Sequence, residues 1–317
     1  MFDFTAYQGK KRSPVTMCPP DLGGAPLVET HAHLDMLDDP ARALARAAYV
    51  GLSTVLTIAD VSARAETTFE MLAVWREAAQ NLLAAAKGEE EGQSAARATI
   101  IPDTRIIVGI HPHNARHFDT SAQQRLRVFA ADPRTVALGE TGLDYYYDHS
   151  PRDVQRAVFR RILQLAQELK LPVIVHLRDA HDDGLDILRD VGIPSAGAVL
   201  HCYNREPKVA APFLELGCVL GFGGPVTFKN AHEVKAAAIA APADRIVVET
   251  DCPFMAPTPF RGQSCEPAHT LWVAQALAEL RGLPLPELAQ QTSDTAARIF
   301  KLDSAKFDPV TRKAGAA

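Results

Sequence analysis

Short apolar runs rich in β-branched residues recur along the chain, at 27–33, 53–58, 105–111, 135–140, 172–177, 197–201, 218–221 and 245–251. Each has the length and composition of a strand. Between them the apolar spacing becomes that of amphipathic helices, at 40–50, 64–86, 121–131, 152–169, 182–191, 206–216, 231–239 and 267–280, with a further helix at 286–300. Such an alternation predicts parallel strands joined by crossovers. The economical closure of eight units is an α/β fold, the (β/α)8 TIM-type barrel of roughly 250 residues. A doubly wound sheet is the alternative. It places a Gly-rich phosphate loop after its first strand, whereas the first run here leads into HAHLD with no GxGxxG.

The pattern divides the chain into an N-terminal extension at 1–24, a single barrel domain at 25–302 and a C-terminal tail at 303–317. The polar 87–98 stretch (KGEEEGQSAARA) reads as a mobile surface loop. It joins a helix to a strand, which puts it on the face of a barrel opposite the functional end.

The polar residues that interrupt the apolar runs are not scattered. His31 and His33 close the first run, and residues at i and i+2 of a strand face the same side. His111 and His113 follow the third run, Glu140 ends the fourth, His176 the fifth, His201 the sixth and Asp251 the eighth. A lone strand histidine is more often a satisfied core residue than a ligand. Here six strands bring a His, Glu or Asp to one end of the barrel, the end where barrel enzymes work. Imidazole and carboxylate suit first-row divalent ions. His31, His33, Glu140, His176, His201 and Asp251 are therefore the candidate ligands. A single catalytic zinc uses about three protein ligands, so six suggest two divalent ions (Zn, Mg or Mn) with Glu140 as the bridge. Two ions about 3.5–4 Å apart support hydrolysis best. No GxSxG elbow is present, which argues against a serine hydrolase. Cys202 and Cys252 each directly follow a candidate ligand, so alternation turns them outward.

Composition narrows the setting. Five cysteines, an odd number with no CxxC, argue against a disulfide framework and for a cytoplasmic location. No apolar run is long enough for a membrane span, and no apolar stretch follows the basic Lys10–Lys11–Arg12 cluster as in a signal peptide. The net charge of −5 argues against a broad basic surface for nucleic acid. It leaves room for a local phosphate site, because bound ions can dominate the charge of a pocket.

Seven strings, in order, carry a resemblance: THAHLD at 30–35, GIHPH at 109–113, GETGLDYYY at 139–147, PVIVHLRDA at 172–180, HCY at 201–203, GFGGPVTFKNA at 221–231 and ETDCP at 249–253. Across residues 28–300 the chain resembles the TatD-type metal-dependent deoxyribonucleases, a branch of the amidohydrolase-like barrels. The resemblance implies a (β/α)8 barrel and a divalent metal centre on the same six ligands. It also implies 3′-to-5′ trimming of DNA. The acidic charge balance narrows the expected substrate to DNA ends or short single strands gripped locally by metals, and no obligatory protein partner is evident in the sequence. Three departures from the family pattern stand out. The family's HCFSG is HCYNR here, its Asn-Glu-Pro is Cys265-Glu266-Pro267, and Glu29 stands where Asp is common.

The chemistry expected is metal-assisted phosphodiester hydrolysis. Asp251 is the candidate general base beside Glu140, and His111 and His113 are candidates to contact the phosphate or protonate the leaving oxygen. Arg178 and Asp144 are assigned to the substrate side, Arg178 as a phosphate grip and Asp144 also as a carboxylate that orients an imidazole. The aromatic run Tyr145–Tyr147 reads first as packing between helix and barrel, and second as a base-stacking platform. A metal-dependent amidohydrolase or esterase acting on a small molecule is the competing enzyme. Such enzymes often carry a modified lysine where Glu140 stands. A metal-stabilised scaffold is the non-enzyme reading, and the open, cysteine-free ligand set argues against it.

Overall fold

The computed structural model describes residues 2–8, 13–88 and 100–303. Most of the polar 87–98 stretch, and the tail beyond 303, lie outside the described residues. After a short hairpin, β1 (Thr5–Gln8) and β2 (Ser13–Thr16), eight strands follow: β3 (Val28–Ala32), β4 (Thr54–Asp60), β5 (Asp103–Gly109), β6 (Thr135–Asp144), β7 (Val173–Arg178), β8 (Ala198–Leu200), β9 (Val219–Phe222) and β10 (Ile246–Val248). They pair in parallel and in sequence order from β3 to β10. Closure comes at the C-terminal end, where Ala32 bridges Cys252 and the Asp251 amide donates to the His31 carbonyl at 2.9 Å. The architecture is the TIM-type barrel that the alternation predicts.

Helices α1 (Pro40–Tyr49), α2 (Ala65–Gly88), α3 (Thr120–Ala130), α4 (Arg152–Leu169), α5 (His181–Val191), α6 (Pro207–Glu215), α7 (His232–Ala240) and α8 (Thr270–Arg281) return the chain between strands or follow β10. Two start where the sequence supplies a capping carboxylate: Asp39 accepts from the Arg42 amide and Asp119 from the Ala122 amide. Their apolar faces cover the outside of the barrel, which is where most of the core lies. The interior holds a separate core of Val28, Leu56, Ile107, Ile174, Val199, Val219 and Val247. Ile299 and Phe300 of α9 (Leu285–Phe300) plug it from the strands' N-terminal side. The opposite end stays free for polar residues.

Two one-residue bulges decide what those polar residues can be. Strict alternation from the interior Val28 would turn Ala32 inward and His31 and His33 outward. Between Glu29 and Ala32, β3 spends three steps against two on β4, and Ala32 packs among the helices instead. Strand β6 does the same against β7 between Leu138 and Thr141. Ala137 faces the interior and Leu143 the helices, although their spacing is even. An extra residue flips the face that follows it, so Glu140 turns inward. The fourth strand was expected to end at 140. It continues past the bulge to Asp144, which places that carboxylate on the strand end.

The hairpin is the part of the extension with no sequence forecast. Phe4 is buried against Tyr49 and Trp272, with ring centroids 6.4 and 5.1 Å away. The Arg46 guanidinium lies 4.0 Å from the Phe4 ring centroid, donates to the Asp3 carbonyl and pairs with Glu266 at 2.6 Å. These contacts fasten the hairpin across α1 and the start of α8.

Candidate metal centre

Glu140 sits at the centre of a ring of imidazoles, and its two oxygens face different members. Oε1 lies 2.7 Å from His176 Nδ1, 2.9 Å from His201 Nε2 and 3.4 Å from His111 Nε2. Oε2 lies 3.2 Å from His31 Nε2 and 3.8 Å from His33 Nε2. Asp251 Oδ1 completes the second side, 3.2 Å from His33 Nε2 and 3.7 Å from His31 Nε2. The six residues picked out from the strand ends come together at one carboxylate. His111, expected only to touch substrate, joins them: its donor atom and those of Glu140 and His176 fall within 4.8 Å of one another, as do those of His31, His33 and Glu140.

Burial grades the centre from floor to rim. His31 is wholly inaccessible, Glu140 and His201 are buried, and His33, His111, His176 and Asp251 are partly open. Burial alone would raise the Glu140 pKa, but the His201, His111 and His31 charges outweigh it and hold the carboxyl well below its usual range. Burial likewise opposes a proton on His201, and Glu140 overrides it, so that imidazole is raised well above its ordinary value. His31 and His111 are lowered, chiefly by burial.

Both ring nitrogens of His31, and Nδ1 of His201, are buried without a hydrogen-bond partner. Orphaned imidazole nitrogens aimed at carboxylates are costly unless something else satisfies them. The donor set, imidazole nitrogen with carboxylate oxygen, fits a first-row divalent ion.

A second ring of carboxylates fixes how the imidazoles point. Asp144 Oδ2 lies 3.2 Å from His176 Nε2 and 2.9 Å from His113 Nε2, which leaves His176 Nδ1 facing Glu140. Asp144 is itself buried; its Oδ1 accepts from the Tyr146 and Tyr147 amides. Asp60 Oδ2 accepts from the His111 amide at 3.0 Å, and His111 Nδ1 accepts from the His113 amide, so Nε2 turns inward. Sequence reading passed over Glu249. It lies 3.4 Å from His201 Nδ1 and accepts from the Cys202 amide. Room for it comes from Gly221, where a Cβ would stand 2.3 Å from a Glu249 oxygen. The i, i+2 rule that links His31 to His33 also links Glu249 to Asp251 and was the available signal.

Glu29, where the family commonly has Asp, is a further carboxylate beneath the centre. It is fully buried, accepts from the His31 amide at 2.7 Å and the Thr250 amide at 3.1 Å, and meets the Thr270 hydroxyl. Burial pushes its carboxyl up to about 8. Its position ties the bulge of β3 to the strand end that carries Asp251. Cys252 is buried, and Cys202 has its Sγ 3.9 Å from Met255 Sδ; burial raises both thiols well above their usual range.

The rim carries the remaining candidates. His113 hydrogen-bonds Asp144 rather than Glu140. The Arg178 guanidinium forms no ion pair with Asp179 or Glu140 but lies 4.1 and 4.6 Å from the Tyr146 and Tyr147 ring centroids. The packing expected first of that aromatic run holds for Tyr145, which lies against the core with its hydroxyl donating to Asp183 at 2.6 Å, whereas Tyr146 and Tyr147 are 60% and 49% exposed. Both follow the end of β6, so neither lies between a helix and the barrel.

A parallel eight-stranded barrel with histidines and carboxylates converging on its C-terminal end defines a metal-dependent hydrolase of the barrel class. The family model described as TatD related DNase matches residues 28–301, and the chain belongs to that family. An uncharacterized metal-dependent hydrolase of Bacillus subtilis, YabD, is 40% identical over 196 residues, 62% of this chain and 77% of its own length. The 3′-5′ ssDNA/RNA exonuclease TatD of a Rahnella species is 34% identical over 201 residues, 62% of this chain and 76% of its own. The crystal structure of the TatD homologue YJJV from Escherichia coli superposes with a TM-score of 0.73 at 26% identity, covering 87% of this chain and 98% of that one.

Proposed function

We propose that the chain hydrolyses phosphodiester bonds at the 3′ end of single-stranded nucleic acid, using two divalent ions held on either side of Glu140. The observation that carries this reading is the division of labour at that carboxylate, with Oε2 toward His31 and His33 and Oε1 toward His176 and His201. Asp251 belongs to the first set. The exonuclease activity named for the Rahnella relative supports the substrate class. Divalent ions held by these residues would supply Lewis acidity toward the phosphoryl oxygens and toward a water. Asp251, partly open beside His33, takes the water's proton at a carboxylate oxygen. His113, held by Asp144, is placed at the rim to give a proton to the leaving oxygen. His111 holds either a metal or the phosphate, and Arg178 faces the substrate from its aromatic shelf. The five unpaired cysteines support a reducing, cytoplasmic setting.

The test is a substrate panel. Protein stripped of metal is reloaded with Mg²⁺, Mn²⁺ or Zn²⁺ and offered single-stranded and duplex DNA, RNA and small esters. Metal-dependent shortening of single strands from the 3′ end is expected. Glu140→Ala should lose turnover and bound metal together, measured by elemental analysis. Esterase activity without nuclease activity would sink the proposal in favour of a small-molecule hydrolase.

A further inference from the structure

Beside the metal centre, over the C-terminal ends of β7, β8 and β9, lies an open cavity of about 550 Å³. Tyr146, Arg178, His181, Asn204, Arg205 and Asn230 line it. Arg178 stands two residues beyond His176, and Arg205 four beyond His201, so the cavity borders the reacting end of the barrel. Asn204 and Arg205 occupy the stretch where this chain reads HCYNR in place of the family's HCFSG.

Both guanidiniums retain unused donors. Arg178 is stacked on Tyr146, an arrangement that occupies its face and leaves its N–H edge free. Arg205 has only a loose contact with Glu206 at 3.8 Å, and its buried Nε has no hydrogen-bond partner. Its charge reaches into the cavity, where after burial it is the next cause holding His181 down to about 4, so that imidazole is neutral near pH 7. Two carboxylates, Asp179 and Glu233, share the lining. The cavity is therefore not a bare anion trap. It suits a group with a phosphate at one side and an aromatic, hydrogen-bonding body at the other. The exposed Tyr146 ring offers that body a stacking face.

We infer that this cavity is the subsite for the nucleotide adjoining the scissile phosphate, with Arg178 and Arg205 on its phosphate and Tyr146 against its base. The inference rests on the nuclease reading for its substrate class, but it concerns binding and is tested by binding. The probe is a fluorescein-labelled thymidine pentanucleotide added to the full chain in EDTA and followed by anisotropy across a salt series. Arg205→Ala should weaken binding by about tenfold, the worth of one charge-assisted contact. It should also reduce the slope of log K against log salt by roughly 0.7, the single-strand value for one phosphate. Tyr146→Ala should weaken the pentanucleotide but not an abasic strand with the same phosphates. Arg205 is partly exposed, and equal melting temperatures will show that the variant folds. Equal affinity of wild type and Arg205→Ala, or no binding by the wild type, would overturn the subsite. Absence of hydrolysis by the metal-loaded wild type would overturn the nuclease reading instead, and leaves the binding comparison standing.

Discussion

Glu140 and Asp144 come from one strand and face the same histidine from opposite sides. His176 Nδ1 is 2.7 Å from Glu140 and its Nε2 is 3.2 Å from Asp144. A neutral imidazole has one N–H, so Asp144, by accepting it at Nε2, frees Nδ1 to act as a ligand. Burial works against an ionised Asp144, but the bonds from His113 and His176 hold its pKa far below the usual range. Asp144→Asn keeps the shape and removes the charge. It should weaken metal binding or activity by roughly 10–100-fold, as loss of a carboxylate behind a ligand generally does. The melting temperature of the metal-free variant should change little by comparison. Isothermal titration with Mn²⁺ and a thermal melt separate the two. Unchanged metal affinity would show that Asp144 merely shapes the turn.

At the scale of the element, the bulges explain both what was legible and what was not. Strand order, helix order and the strand-end ligands follow from the pattern, because each helix buries one face, each strand buries both faces, and the strand's end is marked by a polar residue. His31, His33, His176, His201 and Asp251 were readable for that reason. The register shifts in β3 and β6 were not, since an extra residue alters pairing without altering the apolar pattern. Glu249 was not legible because its work is done through another side chain, whereas Asp144, read as a carboxylate that orients an imidazole, stands 3.2 Å from His176 Nε2. The hairpin of β1 and β2 was missed because its burial depends on Tyr49, Arg46 and Trp272, which are distant in sequence. Gly139 is the residue on which the β6 shift turns. Its φ is 142°, and a Cβ there would lie 2.7 Å from the Ile174 carbonyl oxygen. Gly139→Ala should cost roughly 1–3 kcal/mol from backbone strain alone, and more from the overlap. The variant should melt several degrees lower and carry less metal, because Glu140 is the next residue. A variant as stable as wild type with full metal content would show that β6 tolerates a side chain at the bulge.

For the whole molecule, the seam that fastens the hairpin to the barrel predicts how stability responds to acid. His269 is buried there, stacked 4.2 Å from Phe260, with its Nδ1 accepting from the Glu266 amide. Burial and the nearby Arg46 charge push its pKa from 6.5 down to about 3. The unfolded chain therefore binds a proton at this position before the folded one does. Its contribution to stability is complete above about pH 6.5, declines as pH falls, and is gone below about pH 3. Glu266 has the opposite sign: burial raises its carboxyl above 4.5, despite Arg46, so its protonation on acidification favours the folded state. That gain is over once the pH passes below about 4.5, and from there to about 3 His269 alone of the two still loses stability. His269→Gln keeps an acceptor for the Glu266 amide and removes the titration. The variant should be less stable than wild type at pH 7, where the neutral imidazole packs best. The gap should narrow progressively between pH 6.5 and 3.5 as wild type alone is penalised. Urea midpoints for both proteins, metal-free, at four pH values across that window measure the difference and cancel every other titrating group. A gap that stays constant with pH would mean that His269 becomes charged in the folded seam without penalty, and that Arg46 and burial do not hold it neutral.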